Sequence, residues 1–463
     1  MPSSRPKDRW GHEVTAVSAA AVGRLDETVL SYLALGRDTG ERLKATFAAD
    51  PDMVMAHCLK GYFFLLMGSG PLKARAPKSL QAAEAGLAAA TPRERAHVAA
   101  LGHWLADDAA KAVGTWEEIL ADHPRDPLAL RLAHHAYFYM GAAGDMRASV
   151  ERALRRWDAG VPGFGFVLGM RAFALEEAGD YGSAEKEGRR AVELNPDDPW
   201  SVHAVAHVME SQDRHAEGIA WIAGLEPHWS KANNFRYHLV WHRALMHLDR
   251  GELDEATTLY DRALWDPQSD EYLDLCNDAA LLLRLEILGR DVGGRWRALA
   301  DKAAGRTDEH ILAFIDCHFL AALAADGRLD AARKMTAGMR AKGGIFAQVG
   351  APVAEALLAW REKDYAQAAK LLSVARADIV RMGGSHAQRD LFDMVLIDAA
   401  LKSGDGKRAR ALLAERTAAK PGDPWSWRTY ARVLRDLGED FAAAEARAGA
   451  LAGSWAAVRF IAW

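Results

Sequence analysis

Two histidines and a glutamate share one face of a predicted helix in residues 201–214, SVHAVAHVMESQDR. At about 100° per residue, His207 lies roughly 40° round the helix from His203, and Glu210 lies about 20° to the other side. Imidazole and carboxylate groups are ligands of zinc, iron and manganese, and a histidine pair at i and i+4 forms a two-nitrogen chelating arm. A metalloprotease helix would read HExxH, but Ala204 stands where that motif needs its glutamate. The protease class is therefore excluded.

The same four-residue spacing recurs on the next predicted inner helix, in NNFRYHLVWHRALMHLD, which carries His238 and His242. Further polar side chains occupy comparable positions along the chain, among them Asn277 and the upstream pair His134 and His135. The predicted ligand-binding set on the inner face comprises His203, His207, Glu210, His238, His242, Asp278, Arg284, Asp316, His318, His386, Gln388 and Arg389.

Three interpretations of these residues remain open. The histidines could be packing residues, each hydrogen-bonded to a carbonyl or carboxylate, since buried polar groups need partners. They could instead line a preformed pocket for a small molecule or peptide, or hold a divalent metal through His203, His207, His238 and His242. Because no motif has an established ligand spacing, the sequence favours a binding protein without a cofactor. The alternative is a metal-dependent enzyme in which the ion activates water or oxygen.

Other catalytic motifs are missing from the sequence. It contains no glycine-rich phosphate loop and no G-x-S-x-G nucleophile elbow. The three cysteines, Cys58, Cys276 and Cys317, lack CxxC spacing and are expected to be reduced and buried. These observations leave the candidate site to the histidines and their polar neighbours.

Composition limits the location and the partners. The net charge of -5 and the pI near 6.4 predict that nucleic acid is not a partner, because nucleic-acid surfaces normally carry a basic excess. No run of about 18 apolar residues could span a membrane, and the N-terminus, MPSSRPKDRWGHEV, lacks the apolar core of a secretory signal. A cytoplasmic protein without a membrane partner is expected.

The elements that position these side chains are predicted to be helical hairpins. In residues 168–199, small residues, a glycine and a proline recur where a tetratricopeptide hairpin needs them: Ala172, Gly179, Tyr181, Ala184, Ala191 and Pro196. Similar segments recur along the chain and predict an all-α tetratricopeptide-like solenoid of roughly twelve hairpins, a superhelix whose first helices line the inner surface. The predicted organisation is an N-terminal extension at 1–24, one superhelix at 25–450 and an aromatic C-terminal docking segment at 451–463. That last segment could instead meet a second copy in a homodimer.

Four stretches carry a resemblance to a known family: HAVAHVMESQDR, WHRALMHLDRGELDEATTLYD, NDAALLLRLEILG and GGSHAQRDLF. On these stretches the chain resembles the tetratricopeptide repeat protein 38 family, also called StaR-like, from about residue 25 to 450. GGSHAQRD is the most specific element, since a general tetratricopeptide consensus does not include it. The resemblance implies the fold and the cellular class but no catalytic assignment, although some bacterial relatives are linked to specialised metabolism.

Overall fold

The described part of the chain consists of α-helices joined by short turns. A computed structural model describes the backbone of residues 5–458 and the side chains of residues 5–451. Across these residues there is no β-strand, only two isolated bridges, one between Lys7 and Glu13 and one between Gly36 and Ala232. The prediction of an all-α fold made of tetratricopeptide-like helical hairpins is confirmed.

The helices follow one another at short intervals. The first thirteen in the described residues are α1 (Ala19–Leu33), α2 (Thr39–Ala49), α3 (Val54–Leu66), α4 (Gly70–Lys73), α5 (Ala76–Ala85), α6 (Pro92–Leu105), α7 (Ala109–Asp122), α8 (Pro127–Tyr139), α9 (Ala143–Leu154), α10 (Phe164–Glu177), α11 (Tyr181–Leu194), α12 (Pro199–Ser211) and α13 (His215–Gly224).

The series continues to the end of the described backbone. Its members are α14 (Glu226–Trp229), α15 (Phe235–Asp249), α16 (Leu253–Leu259), α17 (Tyr272–Ile287), α18 (Arg295–Ala304), α19 (Ala313–Ala325), α20 (Leu329–Lys342), α21 (Ala351–Arg361), α22 (Tyr365–Ala375), α23 (His386–Lys402), α24 (Gly406–Ala419), α25 (Pro424–Asp436) and α26 (Ala442–Val458). Two π-helical turns, Tyr260–Leu264 and Phe346–Gly350, and a 3₁₀ helix, Arg376–Met382, adjoin α16, α21 and α22.

These helices belong to two compact units. Unit 1 comprises residues 1–208 and 224–236, and unit 2 comprises residues 209–223 and 237–463. Unit 1 contains five packed hairpins, α1 with α2, α3 with α5, α6 with α7, α8 with α9 and α10 with α11. Unit 2 contains another five, α17 with α18, α19 with α20, α21 with α22, α23 with α24 and α25 with α26. With the successive helices α12–α13 and α15–α16, the described residues contain twelve helix pairs, as predicted.

Short-range capping explains where many of the helices begin and end. Six helices begin after an aspartate whose carboxylate accepts hydrogen bonds from first-turn backbone N–H groups, which would otherwise lack partners; these are Asp108, Asp126, Asp180, Asp364, Asp405 and Asp423. Gly179, predicted to end the first helix of its hairpin, follows α10 with a φ of 82°. That left-handed conformation is readily adopted by glycine and closes the helix.

The N-terminal residues pack onto unit 1. Trp10 is buried, and its indole N–H donates a hydrogen bond to the Pro162 carbonyl at 2.9 Å. The first helix starts at Ala19, inside the stretch predicted to be an extension, 1–24. The predicted single superhelix over 25–450 stays a prediction. The predicted docking segment, 451–463, lies outside the residues whose side chains are described, apart from Leu451.

Within unit 2 a loop late in the helix series contacts residues near the start of the unit. The backbone N–H of Gly422 donates to Asp213 at 2.8 Å, across 209 residues of sequence. The Lys420 ammonium lies 3.4 Å from a carboxylate oxygen of Asp249, across 171 residues. These contacts join the loop between α24 and α25 to the loop after α12 and to the end of α15. No helix in the described residues has the length and apolar character needed to span a bilayer.

Candidate functional site

The α12 histidines form a buried pair in unit 1. His203 and His207 are 2% and 1% exposed, and their Nε2 atoms lie 3.0 Å apart. The other ring nitrogen of His207, Nδ1, is 3.7 Å from a carboxylate oxygen of Glu176, a fully buried residue of α10. Phe173, from the same helix as Glu176, stacks on the His203 ring with 5.4 Å between centroids. The pair therefore presents its Nε2 atoms side by side, with a carboxylate near the far edge of His207.

The α15 histidines repeat this arrangement in unit 2. His238 and His242 are 4% and 0% exposed, with 3.2 Å between their Nε2 atoms. Nδ1 of His242 lies 2.9 Å from a carboxylate oxygen of Glu210, and Nδ1 of His238 lies 3.2 Å from the Asn277 side-chain oxygen. Burial, together with the neighbouring His242, lowers the pKa of His238 well below its usual value, so His238 is neutral at pH 7.

The hydrogen-bond partners determine which nitrogen of each ring carries the proton. A neutral imidazole has one donor and one acceptor nitrogen, and a carboxylate can only accept. Nδ1 of His242 therefore donates to Glu210, and its Nε2 carries a lone pair. If Asn277 presents its oxygen, His238 also donates from Nδ1, and two lone pairs face each other at 3.2 Å. Such a contact is repulsive unless a cation lies between the nitrogens. Reversing the Asn277 amide instead lets His238 donate from Nε2 to His242.

The spacing of the nitrogens matches that of ligands on a shared metal ion. Two nitrogens at about 2.0–2.1 Å from one ion lie roughly 2.8–3.4 Å apart in octahedral or tetrahedral geometry. The observed separations of 3.0 and 3.2 Å fall in this range. In unit 1, Glu176, Glu177 and His207 also offer ligand atoms within 4.8 Å of one another. A carboxylate on the opposite ring nitrogen is a common outer-shell partner of a metal-bound histidine, because it fixes the tautomer and orients the ring.

The GGSHAQRD motif has a structural explanation. Gly383 and Gly384 have φ angles of 84° and 83°, and Ser385 and Gln388 form a capping box at the start of α23. The Ser385 hydroxyl accepts from the Gln388 backbone, while the Gln388 side-chain oxygen accepts from the Ser385 backbone at 2.9 Å. His386 is exposed. That His386 and Gln388 bind a ligand stays a prediction; the structure places the His386 side chain in solvent and the Gln388 side chain in a helix cap.

Arginines near this motif also bind the backbone. Arg389 donates to the Gly384 carbonyl and lies 3.3 Å from Nδ1 of His386. Arg284 is buried on α17 and donates to the carbonyls of Ala387, at 2.6 Å, and Ala280, at 3.2 Å. Both predicted anchors therefore hold the start of α23, and Arg284 also lies over the Trp241 ring, 5.6 Å from its centroid.

The three remaining predicted residues, Asp278, Asp316 and His318, are buried. Asp316 accepts from Nδ1 of His310 at 2.7 Å, although burial raises the pKa of Asp316. His318 donates from Nδ1 to the Phe314 carbonyl at 2.7 Å, and burial lowers its pKa to about 4. Asp278 is 1% exposed, and burial and then the Asp274 charge raise its pKa well above the usual value. These are individually buried polar groups of α17 and α19.

Sequence reasoning missed a charged pocket in unit 2. Its empty volume, open mouth included, is about 360 Å³, and its charged lining residues are Glu210, Asp249, Arg284, Asp390, Arg416, Lys420 and Asp423. Arg416 pairs with Asp390, with one contact at 3.1 Å, and its Nε donates to the Ser426 hydroxyl at 2.9 Å. Burial raises the pKa of Asp390, but the Arg416 and Lys420 charges outweigh it and hold the pKa well below its usual range.

The pocket is an internally paired ion network. Its acidic groups outnumber its basic groups by one, and Lys420 lies 3.4 Å from both Asp249 and Asp390. The signal that sequence reasoning could have used is Asp390, which follows Arg389 directly in GGSHAQRD. The basic partners could not be assigned, because they come from α24 and the loop after it.

Fold and site together define a helical-repeat protein with buried histidine pairs backed by acidic groups. No family model matches the sequence. The chain is similar to the solved structure of a human IFIT1 dimer with m7Gppp-AAAA, at 15% identity and a TM-score of 0.42 over 92% of this chain and 95% of that one. The human IFIT1 dimer with PPP-AAAA gives the same values.

A further similarity is to Naa15/Naa10 bound to HypK-THB, at 14% identity and a TM-score of 0.23, over 81% of this chain and 60% of that one. The IFIT1 structures are complexes with m7Gppp-AAAA and PPP-AAAA, and the prediction that excluded nucleic acid is corrected, because the charge of this chain does not support that exclusion. The net charge of -5 is a sum over the whole chain and does not describe one surface. Similarity at these TM-scores carries no argument about what this chain binds.

Proposed function

We propose that this protein binds divalent transition-metal ions through two histidine pairs, the Nε2 atoms of His203 and His207 in unit 1 and those of His238 and His242 in unit 2. The observation that carries the proposal is the pair of Nε2–Nε2 contacts, 3.0 Å in unit 1 and 3.2 Å in unit 2. Each is the separation expected of two nitrogens on one ion. Each pair acts as a two-nitrogen chelating arm. The sequence favoured a metal-free pocket, whereas this proposal places a metal ion at the pairs; the Glu210 carboxylate leaves the His242 lone pair on Nε2, where an ion could bind it.

The surroundings of the pairs support an ion of the zinc class. Imidazole suits zinc, copper, iron and nickel better than magnesium or calcium, which prefer oxygen. Because His238 is already neutral at pH 7, no proton has to leave it when an ion binds. Glu176 lies near Nδ1 of His207 and Glu210 lies near Nδ1 of His242, so each pair has an acidic group at the position of an outer-shell partner.

The proposal also includes three predictions from the sequence. We propose that the protein belongs to the tetratricopeptide repeat protein 38 family, that it is cytoplasmic, and that it binds a small molecule or peptide as an additional ligand. The family resemblance supports the first two. The buried polar and aromatic side chains around the histidines support the third.

The test is the metal content of protein purified without a histidine tag. We expect at least about half an equivalent of zinc, copper, iron or nickel per chain, and a chelator should lower the melting temperature, because a metal bound only to the folded state stabilises it. His207→Ala and His242→Ala should each reduce the metal content. His386→Ala is the matched control, because this histidine is exposed, and its metal content should equal that of the wild type. Metal-free protein that gains no stability from added zinc would contradict the proposal.

A further inference from the structure

Two adjacent glutamates end α10 in unit 1, at a place where a helix disfavours negative charge. Glu176 and Glu177 are its last two residues, and the structure describes no basic residue in its last turn. The carboxyl end of a helix carries a partial negative charge, because its last carbonyls point along the axis, so it attracts cations and repels carboxylates. Glu176 is fully buried, which strengthens that repulsion. The end of α10 therefore favours a cation.

His207 of α12 completes a set of three metal-binding side chains at this helix end. One ligand atom from each of Glu176, Glu177 and His207 lies within 4.8 Å of the other two. Two ligand atoms on opposite sides of one ion are roughly 4.3 Å apart, so small side-chain movements bring all three into contact with it. Glu177 is less buried than Glu176, which gives an ion an approach from the Glu177 side.

The distance between His207 and Glu176 fits two ligands of one ion better than a hydrogen bond. In unit 2, Glu210 approaches Nδ1 of His242 to 2.9 Å, which is a hydrogen bond. In unit 1, Nδ1 of His207 and the Glu176 oxygen are 3.7 Å apart, beyond hydrogen-bond range. Two ligand atoms about 2.15 Å from one ion and this far apart make an angle of roughly 120° at it, which a four- or five-coordinate ion accepts. With an ion on that side, Glu176 becomes a ligand, while Glu210 stays a hydrogen-bond partner.

We propose that Glu176, Glu177 and Nδ1 of His207 bind a further divalent cation that prefers carboxylate oxygen, such as manganese. The site lies on the Nδ1 edge of the His207 ring, opposite the Nε2 edge that the proposed function assigns to the pair with His203, and it does not depend on that pair being filled. Two carboxylates with one imidazole are a ligand set richer in oxygen than two imidazoles, and carboxylate suits manganese.

The ligand set also determines what else the ion can hold. Three protein ligands leave positions on the ion for water, as in metal sites that are open to a substrate. When ions occupy both edges of the ring, His207 bridges them and releases its proton to the solvent.

Manganese itself is the probe, because its electron paramagnetic resonance signal distinguishes free from bound ion. On the metal-free full chain we expect a saturable site with a dissociation constant of about 100 µM or tighter. Glu177→Gln keeps the size of the side chain and removes its charge. It should weaken manganese binding by at least about tenfold, since the loss of an outer-shell partner alone has that effect. Glu193→Gln, at an exposed glutamate of α11, is the matched control and should bind as the wild type does. Wild type without a saturable manganese site, or equal binding by Glu177→Gln, would overturn the proposal.

The melting temperature without metal tests whether Glu177 is structural instead. Glu177→Gln should melt no lower than the wild type, because it removes a negative charge from the carboxyl end of α10. A large fall in its melting temperature would show a structural role and would refute the assignment.

The two ions separate this inference from the proposed function. Manganese that the wild type binds and Glu177→Gln loses supports the further site, even where His242→Ala holds as much zinc as the wild type. Zinc that is lost in His242→Ala, together with manganese binding that Glu177→Gln leaves intact, overturns the further site and leaves the histidine pairs standing.

Discussion

Glu210 is predicted to control metal binding without touching the metal. In the structure its carboxylate accepts from Nδ1 of His242 at 2.9 Å, which leaves the lone pair of that imidazole on Nε2. In Glu210→Gln the side-chain amide can donate to Nδ1 instead, and the imidazole proton then moves to Nε2. A protonated Nε2 cannot bind a metal, so the proton must be moved back at a free-energy cost.

The expected magnitude follows from the role of outer-shell partners. Their loss typically weakens metal binding by about 10–100-fold, equivalent to about 1.4–2.7 kcal/mol. The assay is zinc competition against a chromophoric chelator, with wild type, Glu210→Gln and His242→Ala measured in parallel. Glu217→Gln is the control, because Glu217 is half-exposed on α13 and pairs with Arg214. His242→Ala should lose more affinity than Glu210→Gln.

Two outcomes would refute this reasoning in different ways. If Glu210→Gln binds zinc as tightly as wild type while His242→Ala does not, His242 is a ligand but the carboxylate does not set its tautomer. If neither variant changes the affinity, the α15 pair does not bind the metal at all.

Two further predictions concern structural parts of unit 2. Arg416→Met removes the main partner of Asp390, whose side chain is 15% exposed, and should cost about 3 kcal/mol of unfolding free energy, measured by urea denaturation at pH 7. Because the folded-state pKa of Asp390 is depressed, this stabilisation is present above the unfolded pKa of about 3.9 and is lost as the pH falls below it. The gap between variant and wild type should therefore narrow near pH 3; an equal gap at both pH values would contradict the assignment. Ser385→Ala removes the capping box of α23 and should cost about 1 kcal/mol with unchanged metal content, which metal analysis of the purified variant checks.

Features that depend on short-range sequence were predictable. The helical hairpins follow from spacings within about thirty residues, and Gly179 ends its helix as expected. The i and i+4 spacing likewise predicts that His203 and His207 lie side by side, as they do. The capping box in GGSHAQRD was also local, since Ser385 and Gln388 stand three residues apart after two glycines. That pattern predicts a helix start as readily as a binding motif.

Features that depend on distant residues were not predictable. Arg416 and Lys420 meet Asp249 and Asp390 only because unit 2 brings together segments up to 171 residues apart. The Arg131 guanidinium carbon lies 4.1 Å from the centroid of the Trp200 ring, although the two residues are 69 positions apart. A contact at that distance in sequence leaves no periodic signal. A single sequence shows which side chains share a helix face, but not which residue of another repeat each will contact.

The long-range contacts of unit 2 bear on how this protein could change in length. In an open repeat array each repeat touches only its neighbours, so repeats can be gained or lost one at a time. Here Gly422 binds Asp213 and Lys420 pairs with Asp249, so the last repeats of unit 2 contact its first residues. Inserting or deleting one hairpin between them would shift both partners out of reach. Related proteins and engineered versions are therefore expected to keep the number of hairpins between these contacts constant and to vary in length outside them.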